Sequence, residues 1–362
     1  MNKELITGKK KILYVEILRI LAILFVLFNH TKNDGFTHFT LCGSETFAYW
    51  FWMFFSVFCK FSVPVFFMIS GMMLLGKEES LAELWKKRIL KYAIILAIFS
   101  LFQYLLKCLP AGRAVSVREY LLLLYSDGVV EEYWFLYFYL AFLMMLPFLR
   151  KIAQNLRFQE FNYLVVLQIV FGGLIPISEY LIFKGNVTMN ALVIPSNVLG
   201  LTVFYPLAGY FLGNKLKEVT KKTCMLSAAL FVVSMGLMMF ITDFRIRATG
   251  DINDGLETFY NSLQPLVAFF VFLMIRKLFE YTAFPKPAEK LIATAGGSVF
   301  GIYLIEKIIR EALFDVFEFM DARINDFAAV WIYILIVLVV STFVVSSFKC
   351  LYKLVMPRKS AK

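Results

Sequence analysis

Residues 12–31 read ILYVEILRILAILFVLFNHT, an apolar run in which Glu16, Arg19 and His30 stand among Leu, Ile, Val and Phe. As a helix, about twenty residues rise ~30 Å, the thickness of a bilayer's hydrocarbon. Lys9, Lys10 and Lys11 precede the run, as basic residues precede a signal peptide. The run is longer than a signal h-region, lacks a small-x-small cleavage site and is followed by more runs of its kind, so it reads as an uncleaved first helix.

Working outward, apolar runs recur near 46–75, 89–109, 133–149, 161–183, 196–213, 224–242, 261–279, 297–314 and 328–348, which with 12–31 makes ten. Apolar residues are 60% of the 362 and charged ones 17%, with a mean hydropathy of +0.73. A soluble domain of this size has no core able to hide that much apolar surface. The chain reads as an all-α integral membrane protein of about ten transmembrane helices, one membrane domain over residues 1–362 with both termini cytoplasmic. Positive charge supports that orientation. The segments 1–11, 76–91, 150–157, 214–222, 276–290 and 349–362 fall on the inside and carry 25 of the 37 Lys and Arg.

The formal charge of +11 sits in short clusters between apolar runs, which argues against nucleic acid and for the membrane lipid as the surrounding partner. Five scattered cysteines without a CxxC pair, and only two histidines, argue against a disulfide framework and against a metal. The stretch 46–75 is the ambiguous one, ~43 Å long as a helix, with Lys60 in its middle and Pro64 beyond. Two crossings there would move Lys86, Lys87 and Arg88 outside, so one long or broken span is expected.

A charge inside a span costs roughly 2.5–3.5 kcal/mol, so ionisable groups there are candidates for function. Arg19 and His30 are eleven residues apart, three turns plus about 20°, so they share a helix face with ~16.5 Å of rise between them. A guanidinium near the inner leaflet suits an anionic donor, and an imidazole near the outer end suits an acceptor's hydroxyl proton. Two plainer readings stand beside this: Arg19 paired with Glu16 one turn earlier, and His30 as an interfacial residue.

Four stretches carry a family resemblance. The run 16–30, EILRILAILFVLFNH, resembles the opening motif of the acyltransferase 3 family, a basic residue, ten positions, then His. The run 62–71, SVPVFFMISG, is similar to that family's Phe-Phe-x-x-Ser-Gly segment, and 132–147, with Tyr133, Trp134, Phe135 and Leu136, to its Trp-Phe/Tyr-Leu segment. Lys86, Lys87 and Arg88 resemble its cytoplasmic basic cluster. The closest subgroup is that of small members without a soluble domain, which modify surface polysaccharide or its lipid-linked precursors. The resemblance implies a bacterial plasma membrane, acyl-CoA, most often acetyl-CoA, as donor, and a carbohydrate or lipid-linked glycan as acceptor. It implies catalysis by His30 with Arg19 and Glu16, and donor contacts from Lys87 and Arg88. One position departs: 298–306 reads SVFGIYLIE, with Glu306 where the family often has His.

Other candidates divide between structure and function. Ser70 beside Gly71 reads as close helix packing, since no base or nucleophile elbow surrounds it. Tyr133 and Trp134 read as an aromatic belt or a sugar platform. Tyr303 and Glu306 are candidates to line an acceptor cavity. Lys60 reads as cavity-lining or snorkelling, and His38 as an untethered loop alternative to His30. The rivals to an enzyme are a precursor transporter or flippase, for which no inverted repeat is visible, and an inactive scaffold.

Overall fold

In the computed structural model the described residues are 13–126, 128–184, 186–250 and 262–355. The expected inner segment 1–11, residues 251–261 and the tail after residue 355 lie outside them. The described residues are helical and contain no strand. Among the described residues, six helices are long and apolar enough to cross a membrane: Phe47–Leu74, Leu81–Cys108, Glu131–Asn155, Phe158–Phe183, Lys221–Thr249 and Asp326–Tyr352. A pair, Lys286–Gly296 and Val299–Ala312, bent by 64°, makes a seventh if taken as one span. The chain is a multi-pass membrane protein.

The expected runs are all at least partly helical. The stretch 46–75, expected as one long or broken span, is one 28-residue helical run, Phe47–Leu74, with a tight turn at Cys59–Phe61. Two elements differ from expectation. The run 196–213 is interrupted: Ser196–Leu199 and Phe204–Tyr210, with a wide turn to Lys215, are separated by irregular chain. Gly200 and Pro206 in that stretch, and Pro195 just before it, oppose a long regular helix. The loop before 133–149 holds a short helix not foreseen, Val117–Tyr125, whose Ser116 hydroxyl accepts from the Glu119 N–H.

The chain divides into two compact units. The first comprises residues 1–66, 169–188 and 218–362. Its centre is the first helix, Leu13–Asn29, which meets Cys59–Phe61, Gln264–Phe279, Lys286–Gly296, Val299–Ala312 and Asp326–Val355. Leu18, Ala22, Ile23 and Phe28 are wholly buried there. At residues 296–299 the bent pair changes direction, and Lys349 Nζ donates to Gly297 O at 2.7 Å. A cation on the last carbonyls of a helix satisfies them and suits the negative end of its dipole.

The second unit comprises residues 67–168 and 189–217. Lipid tails are as apolar as Leu, so helices in it associate by close packing and not by escape from water. Gly71 and Gly209 supply that closeness: a Cβ on Gly71 would lie 2.0 Å from Pro206 O, and one on Gly209 1.9 Å from Met68 O. Backbone therefore touches backbone between the end of Ser62–Leu74 and Phe204–Tyr210. Three side chains then close the carbonyl end of Ser62–Leu74: Asn214 donates to Met72 O at 2.8 Å, Arg150 to Leu74 O at 3.1 Å and Gln154 to Leu75 O at 3.3 Å.

Gly71→Val should lower the unfolding midpoint in detergent, at a cost of about 1–3 kcal/mol from overpacking. The same change at Gly236, where a Cβ would meet nothing within 4 Å, should leave the midpoint within about 1 kcal/mol, the helix-propensity difference. Thermal unfolding of the purified variants measures both.

Candidate functional site

Two side-chain clusters hold the expected residues, one in each unit. In the first unit, Ile23 and Val26 of the first helix pack with Val299, Ile302 and Val345, and Tyr303 covers the edge of that cluster. This packing fixes the register of Val299–Ala312 against the first helix. It brings Glu306 to His30, with Nδ1 and Oε1 2.8 Å apart. Glu306 is wholly buried, and its other oxygen accepts from Arg310 Nε at 3.3 Å. Tyr333 in turn donates its hydroxyl to Arg310 O at 2.6 Å. The His30 N–H bonds to Val26 O and Leu27 O, both at 3.1 Å, so the backbone under the imidazole continues the helix.

This arrangement sorts the two ring nitrogens. With a carboxylate at Nδ1, that nitrogen carries the proton and donates it, and Nε2 keeps a lone pair. A neutral imidazole so held is a proton acceptor with a fixed direction. Glu306, the position at which the sequence departs from the family's late His, is thus the partner of His30 and not an isolated acid.

The loop after the first helix carries more ionisable groups. Burial holds the Asp34 carboxyl above its ordinary value and Asp321 raises it further, while His38 and Arg310 oppose the rise. His38 is tethered, contrary to the expectation of an untethered loop residue. Its Nε2 is 3.4 Å from Asp326 Oδ2, and its ring centroid lies 4.4 Å from that of Trp52. The Lys60 ammonium lies 4.3 Å from the centroid of Phe36, an interaction that compensates a cation with little water around it.

Lower on the first helix, Arg19 Nη1 donates to Glu16 Oε1 at 2.9 Å, the pairing that their spacing allowed. Glu16 is buried, whereas the Arg19 side chain is 30% exposed. Glu16 Oε2 has no hydrogen-bond partner and presses on Gly296, where a Cβ would lie 2.4 Å from it. The guanidinium is therefore the open member of the pair.

In the second unit, Lys87 pairs with Glu83 at 2.7 Å and Arg88 Nε donates to Glu79 Oε2 at 2.9 Å. Arg150 Nη2 reaches the same oxygen at 3.0 Å. Burial alone would raise the Glu79 carboxyl, but the hydrogen bonds from Arg88 and Arg150 outweigh it and hold it below the ordinary carboxylate value. Ser70 hydrogen-bonds to Tyr139 next to the glycine contact. Tyr133 is buried, with its hydroxyl 3.5 Å from Gln103 Nε2. Trp134 is 43% exposed and meets Phe138 edge-on at 5.5 Å.

Sequence reading did not single out Glu79 or Arg150. Arg150 counted there only as one of the inner-side charges. The visible signal was an acidic residue, Glu79, within the basic segment 76–91, but its partner lies 71 residues away.

A family model described as an acyltransferase domain, acyltransferase 3, matches residues 12–348. Comparison with curated proteins and with solved structures gave no match.

The Glu79 shift has a stability consequence. A carboxyl lowered in the folded state contributes stability above its unfolded value, and that contribution is lost as pH falls through the folded one. Wild type should therefore exceed Glu79→Gln in unfolding midpoint at neutral pH. The gap should close as pH falls below about 4.5, the ordinary value of a glutamate carboxyl, as thermal unfolding at graded pH will show.

Proposed function

Since the chain belongs to the acyltransferase 3 family, we propose that it moves an acyl group, acetyl in the first instance, from cytoplasmic acyl-CoA to a hydroxyl of a surface polysaccharide or its lipid-linked precursor. The observation that carries this reading is the 2.8 Å contact between His30 Nδ1 and the buried carboxylate of Glu306. The setting is a bacterial plasma membrane, with ten crossings and both termini inside. In that topology Arg19 lies toward the inner leaflet and His30 toward the outer.

In the reaction, Nε2 of His30 takes the proton of the acceptor hydroxyl as its oxygen attacks the thioester carbonyl. The imidazolium so formed is held by Glu306, as a carboxylate holds the histidine of a hydrolase triad. The carbon–sulfur bond breaks, and the proton passes from Nε2 to the departing thiolate of CoA. Ester and free CoA leave, and His30 returns to its neutral form. Arg310, on the second oxygen of Glu306, offsets the carboxylate's charge, and Tyr303, one turn before Glu306, lines the acceptor side. Arg19 takes an anionic part of the donor, for which its exposed guanidinium is suited.

One observation favours a second reading. The 64° break between Lys286–Gly296 and Val299–Ala312 is a discontinuity of the kind transporters use at binding sites, so a precursor flippase is the rival.

Purified protein incubated with labelled acetyl-CoA separates the two. Wild type should bind CoA saturably and release free CoA. His30→Ala and Glu306→Gln should each lower turnover by about 10²–10⁴-fold, the range of general base catalysis, with CoA affinity little changed. Arg19→Ala should weaken binding instead. A folded wild type that binds no CoA would leave the transporter reading in front.

A further inference from the structure

Lys60 stands at the middle of Phe47–Leu74, a run long and apolar enough to cross a membrane. Elsewhere in the first unit such charges are paired, Glu306 with Arg310 and Arg276 with Glu280. Among the described residues, no carboxylate and no hydrogen-bond acceptor reaches the Lys60 ammonium. Its neighbour is the Phe36 ring, with the centroid 4.3 Å away.

The ammonium is held in place from several sides. The run tightens into a narrow turn at Cys59–Phe61, in which Cys59 and Phe61 are wholly buried and Lys60 between them is half-buried. Gln264 Nε2 donates to Val57 O at 2.6 Å and Ser62 Oγ to Cys59 O at 2.8 Å, so the backbone is tied on both sides of the turn. Phe36 is fastened at both of its own backbone groups: its N–H donates to Thr31 Oγ1 at 3.1 Å, and its carbonyl accepts from the Ser56 hydroxyl. A snorkelling lysine extends as a free stem towards water, whereas this one rests on a fixed ring. A ring face attracts an ammonium without neutralising it or taking all three of its N–H donors. The turn also touches the helix that carries His30. Cys59 Sγ lies 3.9 Å from Asn29 Oδ1, so Lys60 and His30 each stand one residue from that contact.

An unneutralised ammonium within an apolar run is matched by an anion, and an apolar body has to carry that anion to such a depth. The phosphate of a lipid-linked glycan travels in this way; a carboxylate on a finished surface polymer does not. We propose that Lys60 seats the phosphate of a lipid-linked acceptor on the side of His30, so that the acceptor is a lipid-borne unit and not a finished polymer. Calling that lipid the acceptor rests on the acyl-transfer reading above; the preference for a lipid-borne phosphate does not.

The test is binding of geranylgeranyl phosphate, and of the uncharged geranylgeraniol, to the full chain in non-ionic detergent. Wild type should bind the phosphate about tenfold more tightly than the alcohol. Lys60→Met, similar in length but without the charge, should lose that preference, and Lys60→Arg should keep it. Should Lys60→Met fail to fold, Lys60→Gln carries the same comparison. No preference in wild type, or one that survives in a folded Lys60→Met, overturns the proposal; CoA binding in the same sample then leaves the acyl-CoA reading standing without it. Short-chain phosphatidylglycerol tests the other source of phosphate. Binding as tight as that of the prenyl phosphate, and equally lost in Lys60→Met, overturns the acceptor assignment in favour of a bulk headgroup. A phosphate preference in a protein that binds no CoA keeps the anion seat and removes the acyl-CoA reading.

Discussion

A charge surrounded by hydrocarbon has to meet its counter-charge within the protein, and the helix registers of this chain follow from that requirement. Glu306 is wholly buried and lies between His30 and Arg310. Arg276 is buried and pairs with Glu280 one turn on. Asp243 takes the Tyr49 hydroxyl at 2.9 Å and Arg247 at 2.8 Å. A helix slid by one residue would turn each of these groups by about 100°, away from its partner. Apolar packing alone gives no such penalty, because one Leu or Phe facing a lipid tail is much like another.

The same requirement explains how His30 is held. An imidazole near the end of a hydrophobic helix would ordinarily have free choice of tautomer and rotamer. The carboxylate opposite removes both freedoms, and the cluster of Ile23, Val26, Val299, Ile302 and Val345 fixes the distance between the two helices that carry the pair. The geometry of the pair is set by aliphatic packing and by one buried charge, on helices and not on a loop.

Much of this was legible in the sequence. The runs of Leu, Ile, Val and Phe declared the membrane. Arg19 and His30 stood out because charge in an apolar run is costly. The Glu16–Arg19 pair was visible too, being three residues apart. What the sequence could not show was partnership over distance. Glu306 is 276 residues from His30 and Arg150 is 71 from Glu79, and no periodicity connects them. Glu306 read as a departure from a family pattern, when it supplies the acid that His30 faces. The run 196–213 has the apolar content of a span, but the chain breaks at Gly200, between Ser196–Leu199 and Phe204–Tyr210.

The ammonium of Lys349 on Gly297 O bears on where this protein can be cut. The family likeness ends at residue 348, and a chain trimmed at that border would keep every group around His30 yet lose the fastening of the bent pair by a single residue. The carbonyl of Gly297 would then lose the Lys349 ammonium, and the turn that leads into Val299–Ala312, and with it Glu306, would be free to relax. The border of likeness to a family and the border of the mechanical unit are one residue apart here, and that residue belongs inside.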